Sequence, residues 1–196
     1  MNYQKIIGIM LIAGALIGIA YFLFMGTSAP APITPTTPPA VTPPPPVQTG
    51  LDPKNATYVI ASSSVTLTNG VSVTEAAPGS ASKITTRYFG NDATGDLNGD
   101  GLPDTAFLIT QDTGGSGLFY YAVVAMKTTT GYKMTNAFLI GDRIAPQSTE
   151  INSSAMELRV NYAERKPGEP MTAQPSQGAT LFLKVTPDGV LNGLMQ

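Results

Sequence analysis

Leu118-Phe119-Tyr120-Tyr121-Ala122-Val123-Val124-Ala125-Met126 is an unbroken run of nine residues without a charge. A strand with one wet face alternates apolar and polar residues, so a run this continuous fits a central strand covered on both faces. Ala106-Phe107-Leu108-Ile109 has the same character. Around this pair the period is two. Glu157-Leu158-Arg159-Val160-Asn161-Tyr162 alternates strictly and directs Leu158, Val160 and Tyr162 inward. Leu181, Leu183 and Val185 repeat that pattern around Phe182 and Lys184. Val65-Thr66-Leu67-Thr68 and Val71-Ser72-Val73-Thr74 flank Asn69-Gly70, two residues that accept positive φ, which reads as a two-residue hairpin. Residues 132–140 form a further strand candidate, and 76–83 has room for one helical turn. No segment shows a convincing amphipathic helix. The expectation for 51–196 is a mainly β domain, an antiparallel sandwich or a highly curved sheet, with a small α+β fold as the alternative.

The 196-residue chain contains no His, Cys or Trp, and charged residues are 12% of it, about half the usual ~25%. Without Cys there is no disulfide, thiolate nucleophile or Cys-based metal site. Without His there is no Ser-His or Cys-His pair and no imidazole ligand. Ten of the eleven basic residues lie beyond residue 50, against all thirteen acidic ones, so that part carries −3. Such a balance leaves no basic footprint for nucleic acid.

Residues 6–25, IIGIMLIAGALIGIAYFLFM, contain no charge. At 1.5 Å per residue, ~20 helical residues cover the ~30 Å hydrocarbon core, so the stretch reads as a transmembrane helix acting as an uncleaved signal anchor. A cleaved signal peptide is the alternative, but its apolar core is usually only ~7–15 residues. Lys5 precedes the run and the next charge is Asp52, which leaves residues 1–5 in the cytoplasm and the bulk of the chain outside. Residues 26–50 are a linker. Nine prolines among the 18 residues of 30–47 exclude a helix or central strand and favour an extended polyproline spacer. The chain is therefore expected in the cell membrane as a single-pass protein with an extracytoplasmic C-terminal domain at 51–196.

Asp96-Leu97-Asn98-Gly99-Asp100-Gly101-Leu102-Pro103-Asp104 carries the clearest chemistry. Oxygen side chains occupy relative positions 1, 3, 5 and 9, Gly101 sits at position 6 and the Leu102 carbonyl at position 7. Residues two apart in a tightly wound loop aim at one centre, and calcium takes 6–8 oxygens in irregular geometry. The candidate metal ligands are Asp96, Asn98, Asp100, Leu102 through its carbonyl, and Asp104, with calcium as the ion. Five acids and no Lys or Arg lie between Tyr88 and Met126. The helix–loop–helix version of such a loop ends in Glu at position 12, whereas Phe107 stands here.

These nine residues resemble the calcium loops of integrin-type FG-GAP repeats and dockerins, in which a D-x-[DN]-x-D-G-x-x-D run carries the ion. Those families repeat the loop and this chain has it once, so the resemblance implies a calcium site and no fold. Gly95-Asp96 through Asp104, with Gly115-Ser116-Gly117-Leu118-Phe119-Tyr120-Tyr121 and Gly141-Asp142-Arg143, also resembles an uncharacterised extracytoplasmic bacterial domain found behind membrane anchors or lipoprotein signals. That resemblance implies a location and an ion site, and no reaction.

The other motifs read as structure. Gly114-Gly115-Ser116-Gly117 leads into a strand, where a phosphate cradle would lead into a helix. Ser80-Ala81-Ser82-Lys83 spells S-x-x-K without the companion motifs that chemistry needs. The functional expectation is a membrane-anchored binding or structural module with a calcium-stabilised loop, belonging to the cell envelope or meeting a surface ligand, more a module than an enzyme. The alternative is a surface hydrolase using Asp and Glu carboxylates.

Overall fold

The computed structural model describes residues 50–194, so the span at 6–25 and nearly all of the linker at 26–50 lie outside the described residues. Twelve strands follow one short 3-10 turn at Pro53–Asn55. They are β1 (Thr57–Ile60), β2 (Ser63–Thr66), β3 (Val71–Glu75), β4 (Lys83–Gly95), β5 (Asp104–Asp112) and β6 (Leu118–Thr128). Then come β7 (Gly131–Met134), β8 (Phe138–Asp142), β9 (Ala145–Asn152), β10 (Glu157–Glu164), β11 (Gln177–Val185) and β12 (Leu191–Gly193). The domain is mainly β and its sheets are antiparallel.

Strands β3-β4-β5-β6-β7 form one sheet, and β8 pairs with β6 beside β7. A second sheet runs β12-β11-β10-β9, and β1-β2 is a separate hairpin. The unbroken apolar runs sit at the centre of the largest sheet, in β5 and β6. Alternate residues of these strands feed two buried clusters. Ala106, Leu108, Ala122, Val124 and Met126 join Leu158, Val160, Leu183 and Leu191 of the second sheet. Phe107, Ile109, Val123 and Ala125 join Tyr58, Ile60 and Leu67 from the hairpin side. A strand whose odd and even residues are both buried has no position left for a polar side chain, which is why these segments do not alternate.

Tyr58 anchors the smaller cluster. It is fully enclosed, and its hydroxyl donates to the Pro53 carbonyl. Burial pushes the Tyr58 hydroxyl above the ordinary tyrosine value, and the charges of Tyr88, Asp52 and Asp92 add to that. Burial also raises Tyr88, helped by its hydrogen bonds to Asp92. A group raised in the folded state contributes stability that is complete below its unfolded value, ~10 for tyrosine, and is lost as pH rises through the folded value. Melting temperature should therefore fall steeply above pH ~10. Tyr58→Phe, at a cost of about 1 kcal/mol near neutrality, should flatten that fall; a melting series across the alkaline range checks it.

Three local expectations need correction. Asn69-Gly70 does form the tight turn, with φ of 52° and 86°, and Thr68 and Val71 exchange hydrogen bonds across it. The hairpin ends there, because β2 turns back onto β1 while β3 pairs with β4. Leu67 is drawn into the buried cluster and separates the two paths. The strand expected at 132–140 is broken into β7 and β8. Between them the Thr135 hydroxyl accepts from the Val124 N–H, and Ala137 N–H reaches across to the Val59 carbonyl. Residues 76–82 form bends and a turn between β3 and β4 rather than a helical turn.

Candidate metal centre

The loop at 96–104 links the end of β4 to the start of β5. Gly95 closes β4 where the chain runs against β9: a Cβ there would lie 2.5 Å from Ile151 Cγ2 and 2.9 Å from Ser153 Oγ. Only glycine fits this approach without displacement. The Asp96 N–H then donates to Ser153 Oγ at 2.9 Å, fixing the loop's entry to the second sheet.

The polar residues wind the loop by successive side-chain-to-backbone bonds. Asp96 Oδ1 accepts from the N–H groups of Asn98 (3.2 Å) and Gly99 (2.7 Å), and Oδ2 from Gly101 (2.9 Å). Asn98 Oδ1 accepts from Asp100 N–H at 3.0 Å, and Asp100 Oδ1 from Leu102 N–H at 2.8 Å. Asn98 Nδ2 donates to Asp100 Oδ2 at 2.9 Å. Gly99 and Gly101 adopt φ of 78° and 81°, the left-handed region that turns these N–H groups inward. The Gly101 N–H, foremost among its backbone partners, holds the Asp96 carboxyl below the usual range.

Two residues fasten the loop to the body. Leu97 is 1% exposed and plugs into the cluster between the two larger sheets. Asp104 is fully enclosed; its Oδ2 accepts from Leu97 N–H at 2.9 Å and its Oδ1 from Lys127 N–H at 2.8 Å. Asp104 thus ties the loop to itself and to β6. Burial pushes its carboxyl up, the two N–H groups pull it down, and the charges of Asp100 and Asp96 raise it further.

The spacing at 96–104 therefore brings Asp96, Asn98 and Asp100 together on a solvent-facing coil and turns Asp104 inward beneath it. Leu102 is half-buried beside them. Among the described residues, no group of three or more acidic side chains is gathered closely enough as placed to hold a metal ion. The available donors are all oxygens: two outer carboxylates, one amide and one backbone carbonyl, the chemistry a hard cation takes. A carboxylate has about four lone-pair sites, so those oxygens of Asp96 and Asp100 that accept one N–H keep capacity for a further bond. None of Asp96, Asp100 or Asp104 makes an ion pair with Lys or Arg among the described residues.

A cavity of about 410 Å³ opens beside the coil, lined in part by Asn98, Asp100 and Leu102 and across from them by Thr186, Pro187 and Gly189. Lys133 reaches this cavity, but its ammonium donates to the Asp188 carbonyl at 3.3 Å and lies against the turn after β11. Lys127 also lines this cavity, and its ammonium sits 4.3 Å from the Tyr132 ring centroid. Register places Lys127 opposite Tyr132 and Lys133 opposite Met126, so the two cations leave the sheet on opposite faces.

Sequence reasoning gave no seating role to Leu97, Gly95 or Ser153, which hold the loop against the body. The apolar second position of an otherwise polar coil was the available signal for Leu97. Nothing local pointed to Ser153, which lies 57 residues away from its partner Asp96. No protein-family model, curated protein or solved structure matches the chain.

Proposed function

We propose that the chain is a single-pass membrane protein whose β-sandwich domain stands outside the membrane on the Pro-rich linker at 26–50 and serves as a binding or structural module of the cell envelope. The sandwich reading is supported by the buried cluster drawn from both larger sheets. The anchor rests on the charge-free span at 6–25 and the outside location on Lys5 preceding it.

In this proposal the loop binds one calcium ion. Asp96, Asn98, Asp100 and the Leu102 carbonyl hold it, with Asp104 beneath as a fifth, inner donor. One observation carries the reading. Asp96 and Asp100 lie near enough to Asp104 for their charges to raise it, and none of the three makes an ion pair with Lys or Arg among the described residues. A divalent ion supplies that relief and closes the coil. Its contribution follows RT ln(1 + [L]/Kd), about 2.7 kcal/mol at 100 times Kd.

Melting the detergent-solubilised full chain in calcium and in chelator tests this. The expected rise in calcium is about 5–11 °C for a domain of this size. The rise should shrink on acidification, because protons compete for the same carboxylates. Superimposed melting curves would remove calcium from the account.

A further inference from the structure

We propose that the outer end of the six-stranded sheet is a carbohydrate-binding face for a neutral sugar. The four-stranded sheet covers this face where Ala106, Leu108, Ala122 and Val124 lie. Two registers further along β5 and β6 the same face continues as a shallow dish of about 330 Å³. Pairing sets its rows. Thr85, Asp112 and Leu118 lie abreast on β4, β5 and β6, and Arg87, Thr110 and Tyr120 form the next row. Phe89, at the bulge that follows, closes the dish against Tyr120, with ring centroids 5.4 Å apart and planes at 76°.

The chemistry of this dish matches a sugar ring, which has apolar C–H faces and a girdle of hydroxyls. Phe89 is 46% exposed at the rim of the dish. It offers a flat apolar surface. Beside it, Arg87 is exposed and makes no ion pair among the described residues. Its guanidinium presents five donors. Asp112 uses Oδ1 on the Gly114 N–H, and its other oxygen has acceptor capacity. A planar donor and a carboxylate acceptor on either side of an aromatic ring can bond neighbouring hydroxyls while the ring packs against C–H groups. Their opposite charges balance, so the dish favours an uncharged sugar over an acidic one. The face uses no residue of the 96–104 coil and stands apart from the calcium proposal.

Calorimetric titration of the full chain, in calcium and in a detergent without a sugar headgroup, tests the proposal. The probes are xylohexaose, maltohexaose and the tetramer of N-acetylglucosamine. At least one should bind with Kd on the order of 1 mM or tighter. Phe89→Ala and Arg87→Gln should each weaken it about tenfold, Arg87→Gln without moving the melting temperature and Phe89→Ala with only a small drop from its lost packing on Tyr120. Leu139→Ala, exposed on β8 opposite Tyr121 and away from the dish, should leave binding unchanged. Absence of binding by all three probes overturns the proposal, as does undiminished binding in both dish variants. So does a cross-linked dimer that is lost in Phe89→Ala while no sugar binds, since the face would then belong to a second copy of the chain.

Discussion

Phe107→Ala should lower the stability of the domain by about 3–5 kcal/mol, a loss of roughly 6–20 °C in melting temperature. Phe107 is fully enclosed in the middle of β5. Its ring meets Tyr58 edge-on at 6.0 Å and Tyr88 at 5.7 Å. Truncation removes the ring's burial, leaves a cavity and strands two aromatic partners. Tyr58 cannot move in to fill the space without giving up its bond to the Pro53 carbonyl. Collapse around the gap is therefore limited, which places the cost in the upper range for such changes. Phe107→Leu, which keeps much of the volume, should cost about 1 kcal/mol. Denaturant unfolding of the three proteins checks this, with midpoints moving and slopes unchanged. A loss below 1 kcal/mol for Phe107→Ala would mean that the hairpin β1-β2 does not press on this face.

Asp104→Ala should cost about 2–5 kcal/mol, through a different mechanism. The side chain is small, so little packing is lost. What is lost is the acceptor for two N–H groups, that of Leu97, which is buried, and that of Lys127, which is part-buried. Orphaned buried donors cost about 1–3 kcal/mol each. Asp104→Asn keeps one acceptor oxygen and turns an NH2 group against the other N–H, so it should fall between Ala and the native residue. The pH dependence carries a sign. The carboxyl is raised in the folded chain, so without a cation its own contribution is complete only below the ordinary carboxylate value, ~3.9, and declines as pH rises through the folded value. Calcium should reverse that decline. Hydrogen exchange at Leu97 and Lys127 would locate the damage, and a variant with native protection at both amides would contradict the latch role.

Phe107 and Asp104 also mark how far the sequence could be read. The apolar runs at 106–109 and 118–126 announced a sheet buried on both faces, because continuous hydrophobicity leaves no wet side. The alternation at 157–162 announced a one-sided sheet, and Leu158 and Val160 are fully enclosed. The turn at Asn69-Gly70 was legible from φ preferences, yet its consequence was not. Whether strands on either side of a tight turn stay together depends on what they bury, and Leu67 is claimed by a cluster made mostly of distant residues. The break at Thr135 was hidden for the same reason, since the competing partner Val59 lies far away in sequence.

Within the loop, spacing revealed the oxygen donors but not their orientation. Asp96, Asn98 and Asp100 bond inward to the coil's own backbone, with Asn98 and Asp100 exposed and Asp96 half-buried. Asp104 follows the same spacing but is the first residue of β5, and pairing with Gly95 points it into the body. A ligand pattern is a statement about residue types; direction is decided by where the next strand begins.

The decisive measurement is calorimetric titration of calcium into the full chain and into Asp100→Ala. Asp100 is exposed and its side chain bonds only within the coil, so its removal spares the core. The native chain should take up one calcium ion, and the variant should bind it at least about tenfold more weakly with its fold intact. No heat from calcium in the native chain, or the same isotherm in both proteins, would contradict the proposed ion site.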